Sequence, residues 1–482
     1  MLARLDRALG LGVERAICAH HARRLRRTGW LRALDPAGEG PWAAGDPPPR
    51  AGCRMEVLVD GENALPAIAE ALRGARHEVL MAGWHASPDF ALTREAGAPS
   101  LRALLAELAE RVPVRVLLWA GAPVPVFTPS RSRVRAVRDR FVEGTRIQLA
   151  LDAHERPMHC HHEKLVVVDG EVAFVGGIDL TSLAGDRFDR TVHPPRAQVG
   201  WHDAAVRLHG PVVADVGDHL RLRWREVTGE TLAAPPAPAA DGPHRVQLVR
   251  TVPEKVYDAL PRGDFRILEA YVRALRGARR LVYLENQFLW SPEVVAILAA
   301  KLADPPTDEF RLVCLLPTRP NNGSDVTRGQ IGLLEEADAG GGGGRLLTCT
   351  VYARDARGEP APVYVHAKIA IVDDRWLTLG SANLNEHSLF NDTEVNVVTD
   401  DAALARDTRL RLWSEHLELD AAAFADRPAH EVVDELWRPI AAQELARMTR
   451  GAPRTHRLTR LPHVSRRSRR LLGPVDSFLV DG

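Results

Sequence analysis

Apolar residues recur along this chain in two rhythms, one helical and one extended, and the two alternate. The stretches ALPAIAEALRGAR and FRILEAYVRALRGAR space Leu, Ile, Val and Ala at the interval that gives a helix one buried face. Both close on the hexapeptide ALRGAR, at Ala71 to Arg76 and at Ala274 to Arg279, an offset of 274 − 71 = 203 residues. Each then runs into a short apolar segment with strand character, HEVLMAGW or RLVYLENQF. Two further pairs follow at similar separation, VRVLLWAG with RLVCLLPT and RIQLALD with RLLTCTVY. Short apolar strands alternating with helices predict two similar α/β domains, each a mostly mixed sheet flanked by helices.

Between the two series lies TGETLAAPPAPAADGP, which is dense in Pro, Ala and Gly and reads as a linker. The expected organisation is a helical, basic segment at 1–54, a first domain at 55–227, the linker at 228–243, a second domain at 244–425, and a C-terminal helix with an arginine-rich tail at 426–482. A length of 482 residues agrees, because one core does not grow to that size.

Composition narrows the function. The chain carries 63 basic and 63 acidic residues, so it lacks the excess positive charge of a protein that binds nucleic acid through many phosphates, and no nucleic-acid partner is expected. Five widely spaced cysteines without a C-x-x-C pair indicate neither a disulfide framework nor a zinc site. The arginine-rich N-terminus has no apolar h-region with a cleavage site, and even EVVAILAAKL stops at a charge well short of a membrane span. A cytoplasmic protein, peripheral at most on the inner face of the cell membrane, is the expectation.

The chemistry sits in two matched motifs. HCHHEKLVVVDGEVAFVGGIDL holds His162, Lys164 and Asp169, followed after six intervening residues by Gly176 and Gly177. VHAKIAIVDDRWLTLGSANLN holds His366, Lys368 and Asp373 at the same spacings, followed by Gly380 and Ser381; the offset is 366 − 162 = 204. Only four lysines occur in the chain, and two of them lie here. Lysine kept against such a background of arginine indicates use of a compact ammonium. Both motifs read as β-branched strands on which His and Lys, two apart, share a face.

These residues resemble the phospholipase D superfamily, whose mark is H-x-K-x4-D-x6-G-[GS] present twice in a monomer. YLENQF, GGIDL, RFD at Arg187 to Asp189, WHDAAVRLHGP and GSANLN are similar to that family too, so the resemblance covers roughly residues 56 to 425. It implies phospholipase D-type domains sharing one active site at their interface, and displacement at phosphorus through a phosphohistidine, without metal or other cofactor. By analogy His162 is the nucleophile and His366 the proton donor, while Lys164 and Lys368 neutralise the phosphoryl oxygens. Asn383 would donate a further hydrogen bond; its counterpart is Asp179, as in some members of the family, so an unsymmetrical phosphate clamp is expected. Asp203 and Glu394 are the candidate orienting carboxylates. Asp169 and Asp373 belong to the motif's catalytic set, although their strand-end positions read as structural anchors.

His154, His159 and His161 lack zinc-ligand spacing and are expected in a loop near the cleft mouth. The tail RGAPRTHRLTRLPHVSRRSRR, from Arg450 to Arg470, has no acidic residue and either meets an anionic bilayer or packs on the body. Loops 123–144 and 318–345 are expected to shape the pocket, the second loosened by Gly340 to Gly344. The expected activity is cleavage or exchange of the head group of a glycerophospholipid at a membrane surface, with water or an alcohol as acceptor and a monomer as enzyme. A phosphatidyl transferase of the cardiolipin synthase type is the alternative, disfavoured by the lack of N-terminal membrane-spanning segments. A nuclease or an inactive lipid-binding relative follows.

Overall fold

The alternating apolar runs pair into two mixed sheets. A computed structural model of the chain describes residues 2–462, apart from 39, 124–127, 184, 189–192, 197 and 322–323. In order, the strands are β1 (Arg50–Val59), β2 (Val79–Gly83), β3 (Val114–Trp119), β4 (Gln148–Asp152), β5 (Leu165–Val168), β6 (Val172–Gly176), β7 (Gly200–His202), β8 (Ala204–His209), β9 (His244–Val252), β10 (Asp264–Phe265), β11 (Leu281–Asn286), β12 (Arg311–Leu315), β13 (Leu346–Arg354), β14 (Pro360–Val365), β15 (Lys368–Val372), β16 (Trp376–Gly380), β17 (Glu394–Thr399) and β18 (Leu458–Arg460).

The first sheet runs β1-β8-β6-β5-β2-β3-β4, with β2, β3 and β4 parallel and the remaining neighbours antiparallel. The second runs β9-β17-β16-β15-β11-β12-β13 with the same directions. Each matched pair of apolar runs occupies the same place in its sheet. The sheets are two-sided, which is why their strands read as almost unbroken apolar runs. In β15, Ile369 and Ile371 face a core lying between the sheets, while Ala370 and Val372 face an outer core under the helix Arg266–Gly277. In β5, Leu165 and Val167 face the same central core, and Val166 and Val168 face an outer core under the helix Asp60–Arg73. The central core holds the helices Val212–Thr228 and Ala402–Leu417 and draws side chains from both sheets.

Two boundaries differ from expectation. β1 starts at Arg50, inside the segment set apart as N-terminal, and pairs with β8 along Arg54–Val59 but with β9 at Arg50 and Cys53. Gly52, at φ +76°, allows that crossing, since a Cβ there would lie 2.3 Å from Ala240 Cβ. At the other end, β18 adds an antiparallel edge to β13, and Arg454 and Arg457 are buried. The arginine-rich segment as far as 462 is therefore built into the body; residues 463–482 of it lie outside the described residues. No helix among the described residues is long and apolar enough to cross a membrane.

Candidate active site

Two short parallel crossings bring the motifs together. The chain before β5 runs beside the start of β17, where His162 N donates to Thr393 O at 2.9 Å. The chain before β15 does the same beside β7: β14 pairs with β7, and His366 N donates to His202 O at 2.8 Å. Each histidine therefore sits just ahead of its strand, not on it, while Lys368 opens β15 and Lys164 immediately precedes β5. The ring centroids of His162 and His366 lie 6.5 Å apart at 64°.

Each motif's histidine is supported by the other half. His162 Nδ1 lies 3.0 Å from Glu394 Oε1 and 3.1 Å from Ser381 O. His366 Nδ1 lies 2.6 Å from Asp203 Oδ2. With Nδ1 engaged, Nε2 is the nitrogen left for substrate in both rings. The carboxylates are themselves fixed. Glu394 accepts from Ser381 Oγ, and from Ser388 Oγ at 2.5 Å. Asp203 accepts from Ala204 N at 2.8 Å, and its main chain is tied to Asp60 by N–H to Oδ1 at 3.1 Å and by Asp60 N to O at 2.8 Å. Strand register makes Asp203 and Glu394 counterparts, since Gly176 faces Ala205 and Gly380 faces Asn396. The residue after each glycine then explains Asp against Glu: a Cβ on Gly177 would meet Asp203 Oδ1 at 2.2 Å, whereas Ser381 donates to the longer Glu394.

Both lysines turn back on their own motif. Lys164 Nζ donates to His162 O at 2.8 Å and pairs with Asp179 Oδ2 at 3.2 Å. Lys368 Nζ donates to His366 O and, at 3.3 Å, to Gln287 Oε1, which also accepts from Asn383 Nδ2 at 3.4 Å. Gln287 has no counterpart in the first half, where 287 − 203 = 84 is Trp84. Burial pushes Lys368 down to about 7 against the help of Asp203, and pushes Asp203 up to about 6. Burial, then Lys368, Arg187 and Lys164, hold the His366 imidazole neutral, well below its usual range.

Asp169 and Asp373, placed in the catalytic set by the resemblance, do not face the imidazoles. Both adopt left-handed backbone, φ 57° and 54°, past the far end of β5 and β15. At about 3.3 Å per residue this is roughly 16 Å beyond the lysine. Asp169 accepts from the N–H groups of Arg76, His77 and Glu78 at 2.7–2.9 Å, and Asp373 from those of Arg279, Arg280 and Leu281 at 2.7–2.8 Å. The two sequence repeats are thus bonded to each other: the aspartate of the motif caps the end of ALRGAR and fixes where β2 and β11 begin.

The cleft between the histidines is lined by His162, His366, Asp179, Asn383 and Gln287, and also by Trp84, Arg187, Trp201 and Phe288. Asp179 Oδ1 and Asn383 Oδ1 are buried there without a hydrogen-bond partner. Arg187, Trp201 and Gln287 lie in segments whose family likeness is visible, but their roles depend on a cleft that no local pattern describes. The neighbouring histidines correct the sequence reading. His161 is buried against Thr393 Oγ1, 2.8 Å from its Nδ1, with its Nε2 3.1 Å from Asp152, and His159 stands 2.9 Å from His387 Nδ1, mostly buried. His161 is thus not a loop residue at the mouth, because the crossing beside Thr393 carries it inward, whereas His159 stays in irregular chain and is partly exposed.

Imidazoles and carboxylates converge in three places among the described residues: Asp60, His193, His202 and Glu415; His202, Glu285 and His416; and His159, His387 and Asp392. Cation-binding donor sets are present there, but the groups already bond one another, with Asp60–His202 at 3.0 Å, His202–Glu285 at 2.9 Å, Glu285–His416 at 2.8 Å and His193–Glu415 at 2.8 Å. Asp60 and Glu285 on either side raise His202 well above its usual range despite burial.

Comparison with known proteins agrees with this geometry. A family described as "Cardiolipin synthase, PLD-like domain" matches residues 347–414. Phospholipase D A of Dictyostelium discoideum is 25% identical over 471 residues, covering 77% of this chain and 36% of that protein, so the chain spans little more than a third of that relative. Cardiolipin synthase A of Pseudomonas fluorescens (strain SBW25) is 28% identical over 458 residues, covering 92% of this chain and 78% of that one. The crystal structure of phosphatidylserine synthase of Haemophilus influenzae Rd KW20 shares the fold at a TM-score of 0.53, with 14% identity over 84% of this chain and 96% of that one. Paired H-x-K-x4-D motifs meeting across two sheets and relatives named phospholipase D and cardiolipin synthase together support the phospholipase D superfamily for this chain.

Proposed function

We propose that the chain is a phospholipase D-type phosphodiesterase that cleaves or exchanges the head group of glycerophospholipids. The observation that carries this is the pair of imidazoles 6.5 Å apart, each holding a carboxylate on Nδ1 and leaving Nε2 to a cleft with amide and cationic donors. Such a spacing admits one phosphorus between two approaches of about 3–3.5 Å.

In the first step the Nε2 lone pair of His162 attacks phosphorus and the bond to the head-group oxygen breaks, that oxygen taking a proton from His366 Nε2. In the second, His366 removes a proton from water or an alcohol, whose oxygen attacks phosphorus and breaks the N–P bond. Without substrate, His366 is held neutral by burial and by the cations around it. An incoming phosphodiester anion offsets those cations, and Asp203 then steadies the imidazolium. The neutral state of His366 also favours a second assignment, in which His366 is the nucleophile. Rapid acid quench and peptide mapping of the trapped phosphohistidine decide between them by which histidine carries phosphorus.

Phosphatidyl transfer to a lipid alcohol is the competing activity, favoured by the similarity to a cardiolipin synthase over 92% of this chain. The reading includes two units at 55–227 and 244–425, a monomer, and a cytoplasmic enzyme working peripherally at the membrane. Purified protein is incubated in EDTA with mixed phospholipids, glycerol and a single-stranded oligonucleotide, and the products are identified by mass spectrometry. Phosphatidate or phosphatidylglycerol is the expected result. Cardiolipin would establish the transferase, cut DNA a nuclease, and silence in every channel a binding protein.

A further inference from the structure

Arg187 is a guanidinium with nothing to hold. It is 2% exposed, yet no hydrogen bond or ion pair joins it to any described residue, and its Nε and Nη1 are buried without an acceptor. Stranding a buried charge in this way is costly unless a partner arrives. What the fold supplies instead is a platform: the guanidinium lies over the Trp201 ring, 3.0 Å from its centroid, and His366 packs against the same ring at 4.2 Å between centroids. Gly185 keeps the platform in place, since a Cβ there would meet Trp201 Nε1 at 1.9 Å. Arg187 lines the same cleft as both motif histidines.

The other cations of the site are already committed. Lys164 is neutralised by Asp179 at 3.2 Å, and Lys368, pushed down to about 7, carries only part of a charge at neutral pH. Arginine cannot lose its proton there, because even with burial lowering it Arg187 stays near 10.

We propose that Arg187 is the permanent anion-binding residue of this cleft, the group that receives a non-bridging oxygen of the phosphodiester and offsets its single negative charge. The proposal rests on the phosphodiesterase reading above. It assigns the two lysines a subordinate part: Lys164 serves as half of an ion pair, and Lys368 takes up a proton when charge on the phosphoryl group grows. The unsymmetrical Asp179–Asn383 clamp follows, since Arg187 from the first half supplies the cation that Asp179 cancels.

Titration calorimetry with inorganic phosphate at pH 7 tests this on the full chain, for the wild type, R187Q and R187K. The expected result is binding by the wild type, weakened at least tenfold in R187Q and less in R187K, which keeps the charge but loses the planar fork. Circular dichroism and thermal melts establish that each variant folds; should R187Q not fold, the R187K comparison stands alone. Equal binding by wild type and a folded variant would overturn the role of Arg187 while leaving the phosphodiesterase reading intact. No binding by the wild type would overturn both. A second readout is the pH profile of turnover: Arg187 is one of the cations that hold Asp203 down against burial, so its loss raises the Asp203 pKa and the acid limb moves to higher pH in R187Q, and an unmoved limb counts against the proposal.

Discussion

Asp203 and Glu394 show how one residue sets the state of another across the molecule. Each presses a carboxylate on Nδ1 of an imidazole from the opposite motif, at 2.6 Å and 3.0 Å. D203N and E394Q keep shape but replace a charged acceptor by an amide, and each is expected to lower kcat at least 100-fold with little change in melting temperature, as steady-state kinetics and calorimetry would report. Acid and alkaline limbs follow from the two perturbed groups. Asp203, at about 6, loses its negative charge as pH falls through that value; Lys368, at about 7, loses its positive charge as pH rises through it. The profile of kcat/KM is therefore expected to be a narrow bell centred between them, and K368R, whose guanidinium keeps its proton, to lose the alkaline limb in its residual activity. The same lysine costs stability. Its pKa is lower folded than unfolded, so the unfolded chain holds more protons between about 7 and 10.5 and stability rises with pH across that window. K368M is expected to abolish turnover while stabilising the fold by about 1 kcal/mol, measured by denaturant unfolding at pH 7.

At the scale of elements, the motif is a strand with a device at either end. At the leading end of β5 and β15 stand the histidine and the lysine; behind them Asp169 and Asp373 tie down the main chain that starts β2 and β11. Spacing within the motif is thus the length of a strand, and its last residue acts through the neighbouring strand. D169N and D373N each remove one charged acceptor of main-chain donors while sparing the imidazoles. Their expected signature is a loss of about 1–3 kcal/mol in unfolding free energy with kcat largely retained in the folded fraction, the reverse of D203N. Gly177 belongs to the same scale. G177A drives a methyl into Asp203 Oδ1, and a 10- to 100-fold fall in kcat with an unchanged circular dichroism spectrum is expected.

Over the whole molecule, the two sheets enclose one continuous core to which β1, β9, β5 and β15 all contribute, so they are not beads on a string. The segment 229–243 joins them without helix or strand of its own. A protease site engineered at 236–238 and then cut is expected to leave both fragments co-eluting on gel filtration with activity retained, because the core and the crossed carboxylates do not depend on that peptide bond. Fragments that separate would show the linker to be essential.

Much of this was legible along the chain. Apolar periodicity determined the α/β class, the order of the strands and their repetition, because burial of both sheet faces imposes unbroken apolar runs. The offsets of 203 and 204 tied the motifs to equivalent places in that order. Strand ends near Arg50 and β18 escaped, since edge pairing depends on what lies beside a segment and not on its own pattern. Which carboxylate serves which histidine, what Asp169 and Asp373 hold, and that Arg187 stands unpaired over Trp201 were decided only by tertiary structure. These contacts join residues from 201 − 187 = 14 to 232 positions apart, set by the path of the chain in space, and local sequence carries the chemistry of a side chain without the identity of its partner.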